Sequence, residues 1–221
     1  MIIPLPFTDL YECRDETLEV FASDRRGQVK YQFNNYGYRN NINYQVGKSN
    51  VAVFLGSSLV SGIGVHWEES FPYLVSEKLH TSCYHYSQGC KEIDNQETLR
   101  ILTQIISDGI FPSYIVIQFI DLDRRYDSTT GTTTHNTDTE KNIQLFKKTF
   151  DSITELLHNQ NWCFFACDNL SHAIPEYIKK HSRCVAWNPK YIDHCGVGNH
   201  PGIKWHKIIS YGIAAKLQMG L

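Results

Sequence analysis

Val51-Ala-Val-Phe-Leu-Gly-Ser-Ser-Leu-Val-Ser-Gly-Ile-Gly-Val65 decides how this chain is read. Its first five residues are apolar and mostly of β-preferring types, a run of the length of a buried strand. Gly56, Ser57 and Ser58 break that run, and Gly62 and Gly64 loosen the turn that follows. Phe71, Leu74, Val75 and Leu79 then recur at helical spacing. A strand that ends in a small-residue turn and enters a helix lifts a serine above the sheet's carboxyl edge. Open α/β sheets bind their ligands at that edge.

The same alternation continues outward. Ser82–Ser87 reads as a second strand, ending at Gln88-Gly89-Cys90. Leu99, Leu102, Ile105 and Ile106 mark a helix, stopped by Asp108-Gly109. Ser113–Ile120 is the most β-like run in the chain, and Ile143, Phe146, Phe150, Ile153 and Leu157 trace the clearest amphipathic helix. Trp162–Cys167 is a fourth strand, and Ile174, Tyr177 and Ile178 mark a short helix. Cys184–Trp187 is a fifth strand, and a last helix begins near Gly202. Five strands alternating with helices predict a parallel sheet covered on both faces by right-handed crossovers. The expected architecture is a single α/β domain over 1–221, a three-layer αβα sandwich with flavodoxin-like strand order 2-1-3-4-5. Residues 1–45 form a lead-in packed on it. Residues 127–139, rich in threonine and short polar side chains, are expected as an exposed loop beyond the third strand and in reach of a lid role.

Composition narrows the function. The chain has 221 residues and a formal charge of -2, with no basic stripe, so nucleic acid is not an expected partner. The apolar start Met1–Phe7 lacks a basic region and carries two prolines, unlike a signal peptide. No apolar run approaches the roughly 20 residues of a membrane span. Seven cysteines without a CxxC pair read as reduced thiols, and the expected location is the cytoplasm.

Gly56-Ser57-Ser58-Leu59 with Gly62-Ile63-Gly64-Val65, and His200-Pro201-Gly202 before an apolar helix, resemble the first and last blocks of the SGNH (GDSL-type) hydrolases. The resemblance implies that fold and a serine esterase activity proceeding through an acyl-enzyme, with no cofactor. Ser58 maps onto the nucleophile and His200 onto its base. A serine hydroxyl needs such a base because it is a poor nucleophile at neutral pH. The implied substrate is a small ester or an acylated carbohydrate. Asn34, Gly37, Tyr38 and Arg39 resemble a segment preceding the nucleophile strand in one subset of these proteins. On turn chemistry alone they read as a surface turn covering the sheet edge.

Three positions depart from the family pattern. Ser57 stands where an aspartate is usual, beside the nucleophile. Val197 stands where the histidine's aspartate partner is usual, which leaves Asp193 or a backbone carbonyl to orient His200. Asp121 falls where a donor asparagine would help form the oxyanion hole, and an ionised carboxylate donates nothing. The N–H groups of Ser58 and of Gly89, the second-block glycine, are the expected oxyanion donors. Because two blocks are altered, a binding protein on the same fold, recognising carbohydrate or a protein partner, is the competing reading. His194, Cys195, His200 and His206 are all zinc-ligating types, but their spacing follows no zinc-site pattern, and no metal is expected.

Overall fold

The structure is a computed structural model that describes residues 16–19, 28–31, 38–39, 44–45, 47–87, 94–127, 132–167, 174–187, 189–195 and 200–220. In chain order the strands are β1 (Glu16–Glu19), β2 (Gln28–Tyr31), β3 (Val51–Gly56), β4 (Ser82–Ser87), β5 (Tyr114–Phe119), β6 (Arg124–Asp127), β7 (Thr132–His135), β8 (Trp162–Ala166) and β9 (Cys184–Trp187). The helices are α1 (Ser58–Ser61), α2 (Phe71–Leu79), α3 (Asn95–Ser107), α4 (Thr139–Leu156), α5 (Glu176–Lys179) and α6 (Ile203–Gln218), with a 3-10 turn at Trp67–Glu69.

Five strands form one parallel sheet in the order β4-β3-β5-β8-β9. Counted along the chain, that is second, first, third, fourth, fifth, as the alternation predicts. The side-chain period of two divides the core cleanly. Val51, Val53 and Leu55 of β3, Ile115, Ile117 and Phe119 of β5, and Trp162 and Phe164 of β8 face one side. There Ile101, Leu102 and Ile105 of α3 and Phe146, Phe150 and Ile153 of α4 cover them. Ala52, Phe54, Val116, Cys163 and Phe165 face the other side, under Phe71 and Val75 of α2 and Trp205, Ile209, Ile213 and Leu217 of α6. β3, β5 and β8 therefore bury apolar side chains on both faces, as a sheet covered by two helical layers requires.

The two helices on one face of the sheet start at side-chain caps. The Asp94 carboxylate accepts from Glu97 N–H at 2.7 Å and opens α3, and Asp138 does the same for α4 through Lys141 N–H at 3.1 Å. The cysteines among the described residues, Cys83, Cys163, Cys167, Cys184 and Cys195, are all free thiols. Among the described residues no helix is long and apolar enough to cross a membrane.

Two expectations change. The polar stretch 127–139 is not simply a loop: Thr132–His135 pairs antiparallel with Arg124–Asp127, Arg124 opposite His135. Threonine is β-branched, and that stiffness favours extended backbone even where no apolar pattern announces a strand. The lead-in also contains an antiparallel pair, β1 with β2, that the mixed polarity of 1–45 conceals.

Candidate functional site

The register sets Gly56 opposite Ser87, one step beyond the Leu55–Ile117 pair, so β3, β4 and β5 present their carboxyl ends together. Gly56 has φ +154°, and a Cβ there would lie 2.6 Å from Gln118 Cβ and 2.7 Å from Val60 Cγ2. Both the backbone angle and the space demand glycine. The Gln118 side chain fills that space and grips Ser57 on both sides. Its Oε1 accepts from Ser57 N–H at 3.0 Å, and its Nε2 donates to Ser57 Oγ at 3.1 Å. With Ser57 held inward, Ser58 becomes the first residue of α1 and lies half-buried beyond the carboxyl end of β3. Among the described residues the Ser58 hydroxyl makes no hydrogen bond.

The loop carrying His200 closes as a narrow antiparallel pair. Cys195 N–H donates to the His200 carbonyl at 3.1 Å, and Gly202 N–H donates to the Asp193 carbonyl at 3.0 Å, flanking a bridge between His194 and Pro201. The base of that loop rests on the turn that follows Ser58. Cys195 packs with Val65 and Ile203, and its Sγ–H donates to the Ile63 carbonyl at 3.6 Å. Ile63 N–H in turn donates to the Ser58 carbonyl at 3.2 Å. The structure therefore brings the Ser58 turn and the His200 loop to the same edge of the sheet. No hydrogen bond joins the Ser58 hydroxyl to the His200 ring. Catalytic contacts often tighten only when substrate is bound.

Asp193 is occupied elsewhere. Its carboxylate accepts from Lys204 N–H at 2.8 Å and from Trp205 N–H at 2.9 Å, capping α6 from outside the helix. Gly202 permits that approach, since a Cβ there would sit 2.5 Å from Asp193 Oδ2. Of the two expected orienters, Asp193 or a backbone carbonyl, Asp193 is engaged with α6 in this structure, and neither carboxylate oxygen bonds the imidazole. The helix N-terminus wins because its free N–H groups and dipole attract a carboxylate. Asp121, at the carboxyl end of β5, is ion-paired with Arg124 at 3.2 Å. Its negative charge also reaches Tyr191, whose hydroxyl pKa is raised by burial, Cys167 and Asp121 in turn. A carboxylate so paired supplies no oxyanion donor. Gly89 and Val197 lie outside the described residues, as do Asn34 and Gly37.

Arg39 is not on a surface turn. It is 3% exposed, and its guanidinium donates to the Ser61 carbonyl at 2.8 Å, the Val65 carbonyl at 2.6 Å and the Gly62 carbonyl. Two buried histidines flank this region. The pKa of His85 is pushed down to about 3 by burial, with the Arg39 carbonyl opposing and the Arg39 charge adding to the shift. The pKa of His206 is pushed down to about 3 by burial, then by the charges of Arg39 and His200. Both rings are neutral at physiological pH. His206 Nδ1 accepts from Phe71 N–H at 3.2 Å, and its ring stacks on that of Phe71. Cys195 and His206 thus have partners other than a metal. Among the described residues no three His, Cys, Asp or Glu side chains gather as a metal site.

Sequence reasoning missed Gln118, His85, Ser61, Ser87 and Asn95. Asn95 makes a reciprocal pair with Ile120, Nδ2 to the carbonyl and Oδ1 from the N–H, each 3.0 Å, fixing the chain just before Asp121. The available signal was polarity in the wrong place. Gln118 interrupts the apolar run of β5, and His85 that of β4.

No family model matches the chain, and no curated protein matches it.

Proposed function

We propose that the chain is a serine ester hydrolase of the SGNH type, removing small acyl groups from an alcohol or a carbohydrate. The observation that carries this reading is the seating of the His200 loop on the turn that begins at Ser58, through Cys195, Val65 and Ile203. The strand order of the parallel sheet also agrees with that fold. Ser58 Oγ attacks the ester carbonyl while His200 takes its proton. The tetrahedral intermediate collapses as the imidazolium returns the proton to the leaving alcohol, and water then hydrolyses the acyl-enzyme by the same route. The N–H groups of Ser58 and Gly89 stabilise the oxyanion. With the Asp193 carboxylate committed to α6, a backbone carbonyl orients His200, and the site operates as a dyad. No step calls for a cofactor.

A second reading has an observation of its own. Asp193 caps α6 and Asp121 pairs with Arg124, so neither of these two carboxylates is turned to the role that the hydrolase pattern would give its position. That favours a binding protein on the same fold, recognising carbohydrate or a protein partner. A fluorophosphonate probe and p-nitrophenyl acetate separate the two. Labelling and turnover that disappear in Ser58→Ala support the hydrolase. Equal background hydrolysis by wild type and Ser58→Ala, with no labelling, overturns it in favour of the binding protein.

A further inference from the structure

Four buried polar residues close a ring beneath the Ser58 turn. His85 Nε2 lies on the Arg39 carbonyl, which only accepts, so that nitrogen carries the ring's proton. His85 Nδ1 must then accept, and Ser87 Oγ donates to it at 2.9 Å. The Ser87 oxygen accepts in turn from the Ser61 hydroxyl at 2.7 Å. Arg39 closes the circuit by donating to the Ser61 carbonyl, and it continues to Gly62 and Val65. Arg39, Ser61, His85 and Ser87 are each 3% exposed or less. Every donor direction in the ring is fixed by a neutral His85, so the four residues hold one arrangement.

The ring joins three segments distant in sequence. The lead-in is anchored independently on β4: Tyr44 Oη donates to the His85 carbonyl at 2.6 Å and accepts from His85 N–H at 2.9 Å. Tyr38 and Tyr44 stack, and Tyr44 stacks on Tyr84. From that anchorage Arg39 reaches the carbonyls of the very turn on which Cys195 and Ile203 sit.

We propose that Arg39 is a positioning residue: its guanidinium fixes the 61–65 turn, and so sets where the His200 loop rests relative to Ser58. The functional half of this inference rests on the hydrolase reading, and the conformational half does not. A lysine keeps the charge but loses the fork that spans three carbonyls. The comparison is therefore wild type, Arg39→Lys and, as a control of unrelated destabilisation, Phe150→Leu.

In Arg39→Lys, amide exchange at Ile63 and Val65, whose N–H groups bond within this turn, should quicken about tenfold, with β3 and β5 changed less than about threefold. Fluorophosphonate labelling and p-nitrophenyl acetate kcat should fall about tenfold or more with KM nearly constant, because misplacement of a reacting pair costs rate rather than binding. Phe150→Leu should lower the melting temperature without either effect. Unchanged exchange at Ile63 and Val65, or acceleration equal across the sheet, overturns the proposal. If wild type does not label at Ser58, the hydrolase reading fails and the exchange comparison still decides the role of Arg39. If Arg39→Lys does not fold, Ser87→Ala opens the ring by removing one hydroxyl. The same local loss of protection is expected there, and wild-type protection at Ile63 and Val65 overturns the clamp.

Discussion

Lowering the pH should unfold this protein through two particular rings. His85 and His206 are both fully buried, and both are held neutral down to about pH 3. In the unfolded chain an imidazole takes up its proton near pH 6.5. Between those values the unfolded state binds two protons that the folded state refuses, so stability falls as the pH falls. The slope is about 1.4 kcal/mol per pH unit for each ring. At pH 4.5 each ring therefore costs the fold about 2.7 kcal/mol, and the two together about 5 kcal/mol. That is comparable with the whole stability of many domains, roughly 5–15 kcal/mol. The surroundings offer no relief: His85 faces Arg39, Ser87, Trp67 and Tyr38, and His206 faces Phe71, Trp205, Arg39 and His200. None of these is an acid that would welcome an imidazolium. Urea titrations at pH 7.5 and 4.5, on wild type and His206→Gln, isolate one ring from the carboxylates. Glutamine keeps an acceptor for Phe71 N–H and does not titrate, so the stability lost between the two pH values should shrink by about 2–3 kcal/mol. An equal pH dependence in both proteins would refute the reasoning, because His206 would then not be a proton-excluding group.

Three further outcomes follow from local geometry. Gly202→Ala should drive the Asp193 carboxylate off Lys204 and Trp205 N–H, costing about 1–2 kcal/mol as lost caps do. Asp193→Ala should cost about the same, and a double-mutant cycle should find the two strongly non-additive; simple additivity would mean that the cap is not what Gly202 protects. Gln118→Leu should leave the buried Ser57 N–H without an acceptor, lowering stability by about 1–3 kcal/mol in urea titration; a neutral result would remove Gln118 from the account of the turn. The Cys83 thiol is pushed up to about 12 by burial, and burial also raises that of Cys163. Neither should react with iodoacetamide at pH 8 until urea unfolds the chain, and native alkylation of either, read by mass spectrometry, would show the sheet open there.

The sheet was legible because its signal is repeated and local. β3 and β8 are apolar runs, β5 is one broken only by Gln118, and the helices between them carry apolar stripes, so the strand–helix alternation is written in the sequence. The site was legible only where a motif states it: the Ser58 turn from its glycines and serines, the His200 loop from His-Pro-Gly before a helix. What supports those two residues was not. Asp193 lies where a carboxylate partner of His200 would be sought, yet nothing in its spacing reveals that Gly202 clears a path to the end of α6. Arg39 shows the same limit from the other side. Turn residues around it argue for the surface, while its carbonyl acceptors lie more than 20 positions away, in a segment with no charge to announce the pairing. A guanidinium that donates to backbone carbonyls gives no sign of those partners in the sequence. Buried polar residues of this kind betray themselves only as interruptions, as Gln118 and His85 do within apolar strands. A polar side chain in a strand that must be buried on both faces needs a partner, and in this fold the partners stand at the carboxyl edge beside Ser58.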